Sequence, residues 1–508
     1  MTSDGKEEFR DLSPIFQPKC VALIGASNNP LKWGWVILSN ILSHGYAGSV
    51  YPVNPREENI LGLKVYKSLL SVPEEVDLAI IVRPAQSVPQ HVEECVEKGV
   101  KSAIVLAGGF RETGEEGAKL EREVVQIARR GGVLIVGPNT MGVYSASVSL
   151  LAIMSPIRVL KGEVSFISMS GNIGVNLLSM GSTENVGFNK FVSIGNQADI
   201  TLEEYLKYFG DDPDTKIILI YIEGLRRGKK FMEVAEEITV KKPIIVLKAG
   251  RSTAGARAAR SHSGALAGSD MIYDAVFKQS GVIRVSTINR MLDLAKAFIH
   301  LPLPRGRRVG IVTWGGGYGV IAADACEAAG LEIPDIQEET IRELDKILPP
   351  YWNRGNPVDL VGTLDRSIQP KSLEILVKDE NVDAIIASGF LIGGSGIKFA
   401  SPETLKRGVS ATERGIVPDD RGVSLEVIAQ KWIRSSDEKN MKMINELVEK
   451  YGKPIIAVTL TSDTRAIPKA WEKNTVVYPT LEVAAEVLAK MYEYKQYLDK
   501  KKKENAST

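Results

Sequence analysis

Histidine and cysteine are scarce in this 508-residue chain, with four of the first and three of the second. Cys20, Cys95 and Cys326 are far apart and odd in number. They form neither a disulfide framework nor a metal-ligand spacing, which fits a reducing interior. Long apolar runs are missing as well: no stretch approaches the roughly 18 residues of a membrane span. The polar, acidic opening MTSDGKEEFRDL does not read as a secretory signal, so a cytoplasmic location is expected. Charge of one sign is also lacking, the net value being +1. That argues against a dedicated surface for nucleic acid or anionic membrane. The lysine of a Walker A loop is absent from every glycine-rich turn. What remains is ordinary for a globular protein, 44% hydrophobic and 25% charged, and long enough for about three domains.

Short apolar runs alternate with amphipathic segments almost throughout. CVALIGAS, GSVYPVNP, VDLAIIVRP, VKSAIVLAGGF and GVLIVGPN are separated by helical patterns and close a first unit near Val143. Strands of this continuous apolar kind, alternating with helices, predict a parallel sheet covered on both faces. The pattern restarts at GEVSFISMSG and runs through FNKFVSIGN, KIILIYIEG and KPIIVLKAG to GVIRV, five strand candidates in all. A linker, LPLPRGRR, precedes a third unit that opens with RVGIVTWGGGYGV and ends with a helix to about Tyr497. The second and third units share an outline: strand, Ser/Thr- and Gly-rich turn, helix. The polar stretch Ile397–Lys439 interrupts the third unit and reads as an insertion, with a helix near Ser424–Ser435.

Three turns are candidates for anion binding. In IGASNNPLKWG, Gly25 ends a strand, and the following N–H groups and helix start form an anion site. It is not a full G-x-G-x-x-G, and the second strand ends in Asn54, Pro55 and Arg56 rather than an acid, which disfavours NAD. In SMSGNIGVN, Ser168, Ser170, Gly171 and Asn172 can present hydroxyls and N–H groups to phosphate, though an ordinary serine N-cap explains them equally well. TWGGGYGV is the third such turn.

Glu223 stands just past an apolar strand, where open α/β sheets gather ligands. There it can orient an imidazole, although taken singly it reads as a solvated loop glutamate. His262 lies in AGRSTAGARAARSHSGALAGSD, among small residues and close to Arg251, Arg257 and Arg260. One reading is a surface histidine in a basic patch. The other is a phosphoryl-carrying nucleophile, whose charge the arginines neutralise and whose loop the glycines free to move. His44, His91 and His300 lie on predicted helices and read as structural.

Taken together, these segments carry a resemblance. VALIGASNNPLKWG, YPVNP, AGGFRETGEEG, LIVGPNTMG, SMSGNIG, VSIGNQADI, SHSGALAGSD, GGGYGVIAADACEAAGL and NPVDL occur in the order found in the α subunits of ADP-forming acetyl-CoA synthetases, and cover most of residues 10–490. These enzymes are also called NDP-forming acyl-CoA synthetases, and succinyl-CoA synthetase is a remoter relation. The resemblance implies an α/β chain: a Rossmann-like CoA-binding domain over 1–145, then two flavodoxin-like CoA-ligase domains over 146–300 and 301–508. It implies that His262 is transiently phosphorylated and that Glu223 steadies the phosphohistidine. Gly25, Ala26, Ser27, Asn54, Pro55, Val82 and Glu112 fall where the family meets CoA, and Ser170, Gly171 and Asn172 where it holds phosphate.

Two departures stand out: Ser263 replaces the family's usual threonine, and the 397–439 stretch is longer than usual. Nothing in the chain resembles an ATP-grasp domain. The expected partner is therefore a separate ATP-grasp β subunit, in an α2β2 assembly, that binds ADP or ATP with magnesium. CoA is expected as substrate and no metal on this chain. The alternatives are a CoA-binding regulatory or scaffold protein without turnover, which would need neither His262 nor Glu223, and a dinucleotide-dependent oxidoreductase suggested by the first turn alone.

Overall fold

In the computed structural model the described residues are 9–255, 257, 270–363, 367–391, 425–459 and 475–506. His262, Ser263 and the 397–424 part of the expected insertion lie outside them. The chain divides into two compact units, Met1–Ala295 and Lys296–Thr508.

Two sheets build the first unit. One is a five-stranded parallel sheet in the spatial order Ser49–Val53, Cys20–Ile24, Leu78–Ile81, Ser102–Val105, Leu134–Val136. Its strands are largely apolar because both faces are covered. Val21, Leu23, Leu78 and Ile80 face one core, while Ala22, Ile24, Ala79 and Ile81 face another, the two-residue alternation of a pleated strand. Flanking helices carry the expected end signals: Glu115–Arg130 has Glu115 and Glu116 in its first turn and Arg129 and Arg130 in its last, each sign opposing the helix dipole.

The second sheet has seven strands, in the order Ile283–Val285, Ile244–Lys248, Ile217–Ile222, Lys161–Ser168, Phe188–Ser193, Gly142–Ser145, Leu150–Ile153. Five are the parallel strands expected from sequence. The other two, Gly142–Ser145 and Leu150–Ile153, form an antiparallel hairpin added at the edge. The hairpin joins the sheets, since Asn40, on the helix Trp33–Ser43 of the first sheet, donates to the carbonyls of Ile153 and Ser155 at 2.8 and 2.9 Å. A second tie is Asp199, 4% exposed. It accepts from Arg10 at 3.0 Å, from Arg129 at 3.1 Å and from the backbone N–H of Ile135 at 3.2 Å.

The unit Lys296–Thr508 holds one parallel sheet, ordered Val358–Asp359, Val309–Thr313, Ala384–Leu391, Ile455–Thr459, Val476–Tyr478. A helix spans Leu425–Tyr451, longer than the segment expected near Ser424–Ser435, and another spans Leu481–Ala506. The outline shared by the second and third units is real and extends to the first. In all three, the parallel strands stand in the order second, first, third, fourth, fifth. In such doubly wound sheets, ligands sit beyond the carboxyl ends of the first and third strands, where the winding reverses.

Candidate active site

At the reversal point of the first sheet, the first strand is followed by Gly25 and the third by Val82. Gly25 has φ of +95°, and a Cβ there would lie 2.4 Å from the Val82 carbonyl oxygen, so only glycine fits. Ala26 is fully buried and Ser27 nearly so. The Ser27 hydroxyl accepts the N–H of Asn29 at 3.2 Å. Asn54, from the end of the second strand, donates to the Ala26 carbonyl at 2.7 Å and accepts the N–H of Arg56 at 2.9 Å, leaving Pro55 between them exposed. Gly25, Ala26, Ser27, Asn54, Pro55 and Val82 therefore share one edge. Val82 also lines a cavity of about 340 Å³ with Trp33, Arg83 and Met154.

The second sheet repeats the design. Its first strand ends at Ser168, its third at Ile222, and the residues that follow, Ser170 and Glu223, flank the reversal. Ser170 stands at the N-cap of the helix Gly171–Thr183, yet its side chain makes no capping hydrogen bond, and no acidic residue occupies the first turn. The helix start thus has no acceptor from its cap side chain and no acid in its first turn, so the ordinary serine N-cap is not formed here. A Cβ on Gly171 would lie 2.1 Å from Met141 Cγ, so the close approach requires glycine. Glu223 is 6% exposed, which corrects its reading as a solvated loop residue. Its N–H points to the Met169 sulfur at 3.1 Å. Burial, then the charge of Glu223 and a hydrogen bond to it, push the Tyr221 hydroxyl up to about 12.

A cavity of about 630 Å³ joins these parts, lined by Ser170, Gly171 and Asn172, by Gly224 to Arg226, and by Leu106 and Gly108 from the first sheet. It shares Leu106, Gly108 and Met154 with the smaller cavity at Val82. Glu112 braces the wall. One carboxylate oxygen accepts the N–H groups of Gly109 and Phe110 at 2.6 and 3.1 Å, and the other accepts the Asn196 amide at 2.6 Å. Burial raises its pKa, but the bonds from Asn196 and the backbone outweigh that and hold the carboxyl below the usual range. The same Asn196 amide donates to Glu121 at 2.8 Å, and Arg111 pairs with Glu121.

Sequence reading passed over three participants. Asn196 stands in the VSIGNQ turn after a strand, a place where a polar residue is a signal. Arg226 follows Glu223 in the same turn and donates to the carbonyls of Asn196 and Gln197 at 2.9 and 3.1 Å. Lys248 is 2% exposed, ends the strand that leads toward His262, and sits 4.6 Å from the centre of the Tyr273 ring. Burial lowers its pKa, while Asp270 and Glu223 oppose the shift. The Tyr273 hydroxyl accepts the N–H of Leu225 at 3.2 Å, tying the helix after the His262 segment to the Glu223 turn. Nothing in the strand pattern announced Lys248.

The third glycine turn differs. A Cβ on Gly316 would lie 3.0 Å from an Asp359 carboxylate oxygen, so that helix start already faces an internal anion. The remaining histidines sit at helices: His44 caps Trp33–Ser43 and packs edge-on to Tyr144, His91 pairs with Glu94, and His300 ends Ile288–His300. No helix among the described residues is long and apolar enough to cross a membrane.

Comparison with known proteins agrees with this layout. Family models described as a CoA binding domain, a succinyl-CoA ligase like flavodoxin domain and a ligase-CoA domain match residues 19–146, 161–298 and 309–400. The α subunit of acetate–CoA ligase [ADP-forming] II from Pyrococcus furiosus is 46% identical over 376 residues, 74% of this chain and 82% of that protein. A 4-hydroxybutyrate–CoA ligase [ADP-forming] from Nitrosopumilus maritimus is 39% identical over 74% of this chain and 54% of its own length. Among solved structures, the dinucleotide forming acetyl-coenzyme A synthetase 1 of Ca. Korarchaeum cryptofilum, in complex with phosphate and ADP, superposes with a TM-score of 0.81 at 33% identity, covering 96% of this chain and 98% of that one. With a CoA-binding sheet and a ligase sheet meeting at one cavity, and relatives this close, the chain belongs to the family of ADP-forming acetate–CoA ligase α subunits.

Proposed function

We propose that this chain catalyses, together with a partner subunit, acyl-CoA + ADP + phosphate ⇌ carboxylic acid + CoA + ATP. The observation that carries the reading is the cavity in which an uncapped helix start, Ser170–Asn172, and the turn after buried Glu223 line the same space as the first sheet's edge. Residues 1–145 are assigned to CoA, 146–300 to phosphate and the phosphohistidine, and 301–508 to the second ligase domain. Gly25, Ala26, Ser27, Asn54, Pro55 and Val82 hold CoA at the first reversal point. Glu112, through Asn196, braces the wall between CoA and phosphate.

Phosphate rests at the Gly171 helix start, where backbone N–H groups and the helix dipole favour an anion. One of its oxygens attacks the thioester carbonyl carbon. The C–O bond forms, the C–S bond breaks, and CoA leaves as thiolate. A ring nitrogen of His262 then attacks phosphorus, and the acyl carboxylate departs with the electrons of the P–O bond. A phosphoramidate keeps a high transfer potential, which a serine ester would not. Glu223 orients the imidazole and stabilises its charge. The His262 segment, starting from the strand next to Glu223, carries the phosphoryl group to ADP.

ADP and its magnesium are bound by an ATP-grasp β subunit, in an α2β2 complex in the cytoplasm. Relatives named for acetate and for 4-hydroxybutyrate support a small carboxylic acid as product.

The test mixes the chain with such a β subunit and γ-labelled ATP. Label on the wild-type chain and none on His262→Ala is expected; label persisting on His262→Ala would sink the assignment. Glu223→Gln should lower labelling about tenfold or more, the scale of a hydrogen bond to a charged group. ATP formation over a panel of acyl-CoAs identifies the acid.

A further inference from the structure

We infer that Arg226 is an anion-binding residue of the active cavity, its guanidinium holding the phosphate that the Gly171 helix start faces and then the phosphoryl end of the acyl phosphate. This rests on the reaction proposed above.

Among the described residues lining the cavity, Arg226 is the only one with a charged side chain; the others are apolar, glycine, hydroxyl or amide, and none is a carboxylate. A guanidinium has five N–H donors in a planar fork. Arg226 donates to two backbone carbonyls, those of Asn196 and Gln197, which position the group without neutralising it. No ion pair to Arg226 occurs among the described residues. Of the acids in its field, Glu121 pairs with Arg111 and accepts from Asn196, and Glu203 is buried on the helix Leu202–Asp211. Partial burial and then the like charge of Arg111 push the guanidinium pKa down, consistent with a cation short of a counter-charge, although it stays protonated at any working pH.

The placement is also informative. Arg226 lies three residues beyond Glu223 in the turn after the third strand, while Ser170–Gly171 follow the first strand. The reversal point thus brings a fixed cation into the same cavity as a helix start whose first turn carries no acid. Planar, bidentate pairing with two oxygens is the arrangement guanidinium makes best with phosphate. Its carbonyl partners belong to the turn whose Asn196 side chain holds Glu112, so the same turn braces the CoA side and aims the cation.

The test is direct binding of inorganic phosphate to the full chain, by calorimetry or phosphorus NMR, and needs no turnover. Arg226→Gln should weaken phosphate binding about tenfold or more, and Arg226→Lys should recover part of the loss, since it restores charge without the fork. Arg226→Met, which keeps the apolar stem, gives a second neutral variant should Arg226→Gln lose its cooperative melt. In the complex with the β subunit, KM for phosphate should rise while KM for acyl-CoA stays within about twofold. Equal phosphate Kd for wild type and both neutral variants would overturn the assignment, as would a wild-type chain that binds no phosphate. Arg226-dependent phosphate binding without ATP formation from any acyl-CoA would instead overturn the reaction and leave the role of Arg226 standing.

Discussion

Gly25 shows how one residue can be dictated by two strands at once. The carbonyl oxygen of Val82, across the sheet, stands 2.4 Å from where a Cβ would be, and the glycine's φ is +95°. Gly25→Ala should cost about 1–3 kcal/mol of stability through strain alone, read as a lower urea midpoint, and should weaken CoA binding with it. A second residue-scale test is the buried pair behind the ligase sheet. Lys190 is 1% exposed and donates to Asp212, which also accepts from Thr215 at 2.6 Å. Asp212→Asn strands a buried ammonium and should cost about 3–5 kcal/mol.

The pair also sets a pH dependence. Burial raises the Asp212 pKa, but Lys190 and Thr215 outweigh it and hold it below its ordinary value. The unfolded chain therefore binds the proton more readily. Stability from this group is complete above the ordinary aspartate value and is lost as pH falls through the lower folded value. Urea midpoints taken from pH 6 downward should fall in that acid range for wild type and fall less for Asp212→Asn.

Among the elements, the helix Gly171–Thr183 matters for its place, because it starts at the reversal point and lines the cavity. Its cap serine does not cap, and no acid stands in its first turn; at the equivalent helix of the third sheet, Asp359 from a neighbouring strand approaches Gly316. Asn172→Asp, a nearly isosteric change at an exposed position, should stabilise that helix by about 0.3–1 kcal/mol. It should also compete with the guest anion. A slightly higher melting temperature together with weaker phosphate binding is expected; unchanged phosphate binding would count against an anion at this helix start. The element pattern itself was legible in the sequence. Continuous apolar runs such as Ile217–Ile222 announce buried parallel strands, and each was followed by a turn residue that stops the pairing. The hairpin of Gly142–Ser145 and Leu150–Ile153 was not legible as part of the second sheet, because apolar runs reveal strands and not their neighbours.

On the scale of the molecule, the first unit works because two sheets are fixed to each other. Asp199 does much of this, joining Arg10, Arg129 and the Ile135 N–H across the junction. Asp199→Ala leaves the buried Ile135 N–H without its acceptor and takes a counter-charge from Arg129 and from Arg10, which keeps Glu204. A loss of about 2–4 kcal/mol is expected, with CoA and phosphate affinities falling together because both cavity walls shift. Thermal melts and the two binding isotherms check it; a loss of stability with both affinities intact would show that the tie does not align the cavity.

By itself, the sequence determined the fold class, the three strand-turn-helix repeats and the family, because apolar periodicity and glycine turns are local and survive without knowledge of neighbours. It also singled out Ser170, Gly171 and Glu223, since strand ends are where ligands gather. Tertiary structure alone decided which of those ends meet. It buried Glu223, left the Ser170 hydroxyl uncapped, and brought Arg226 and Asn196 to one cavity with Leu106 and Gly108. Burial, hydrogen-bond partners and the sign of a cavity wall are sums over residues far apart in the chain, and no local pattern contains them.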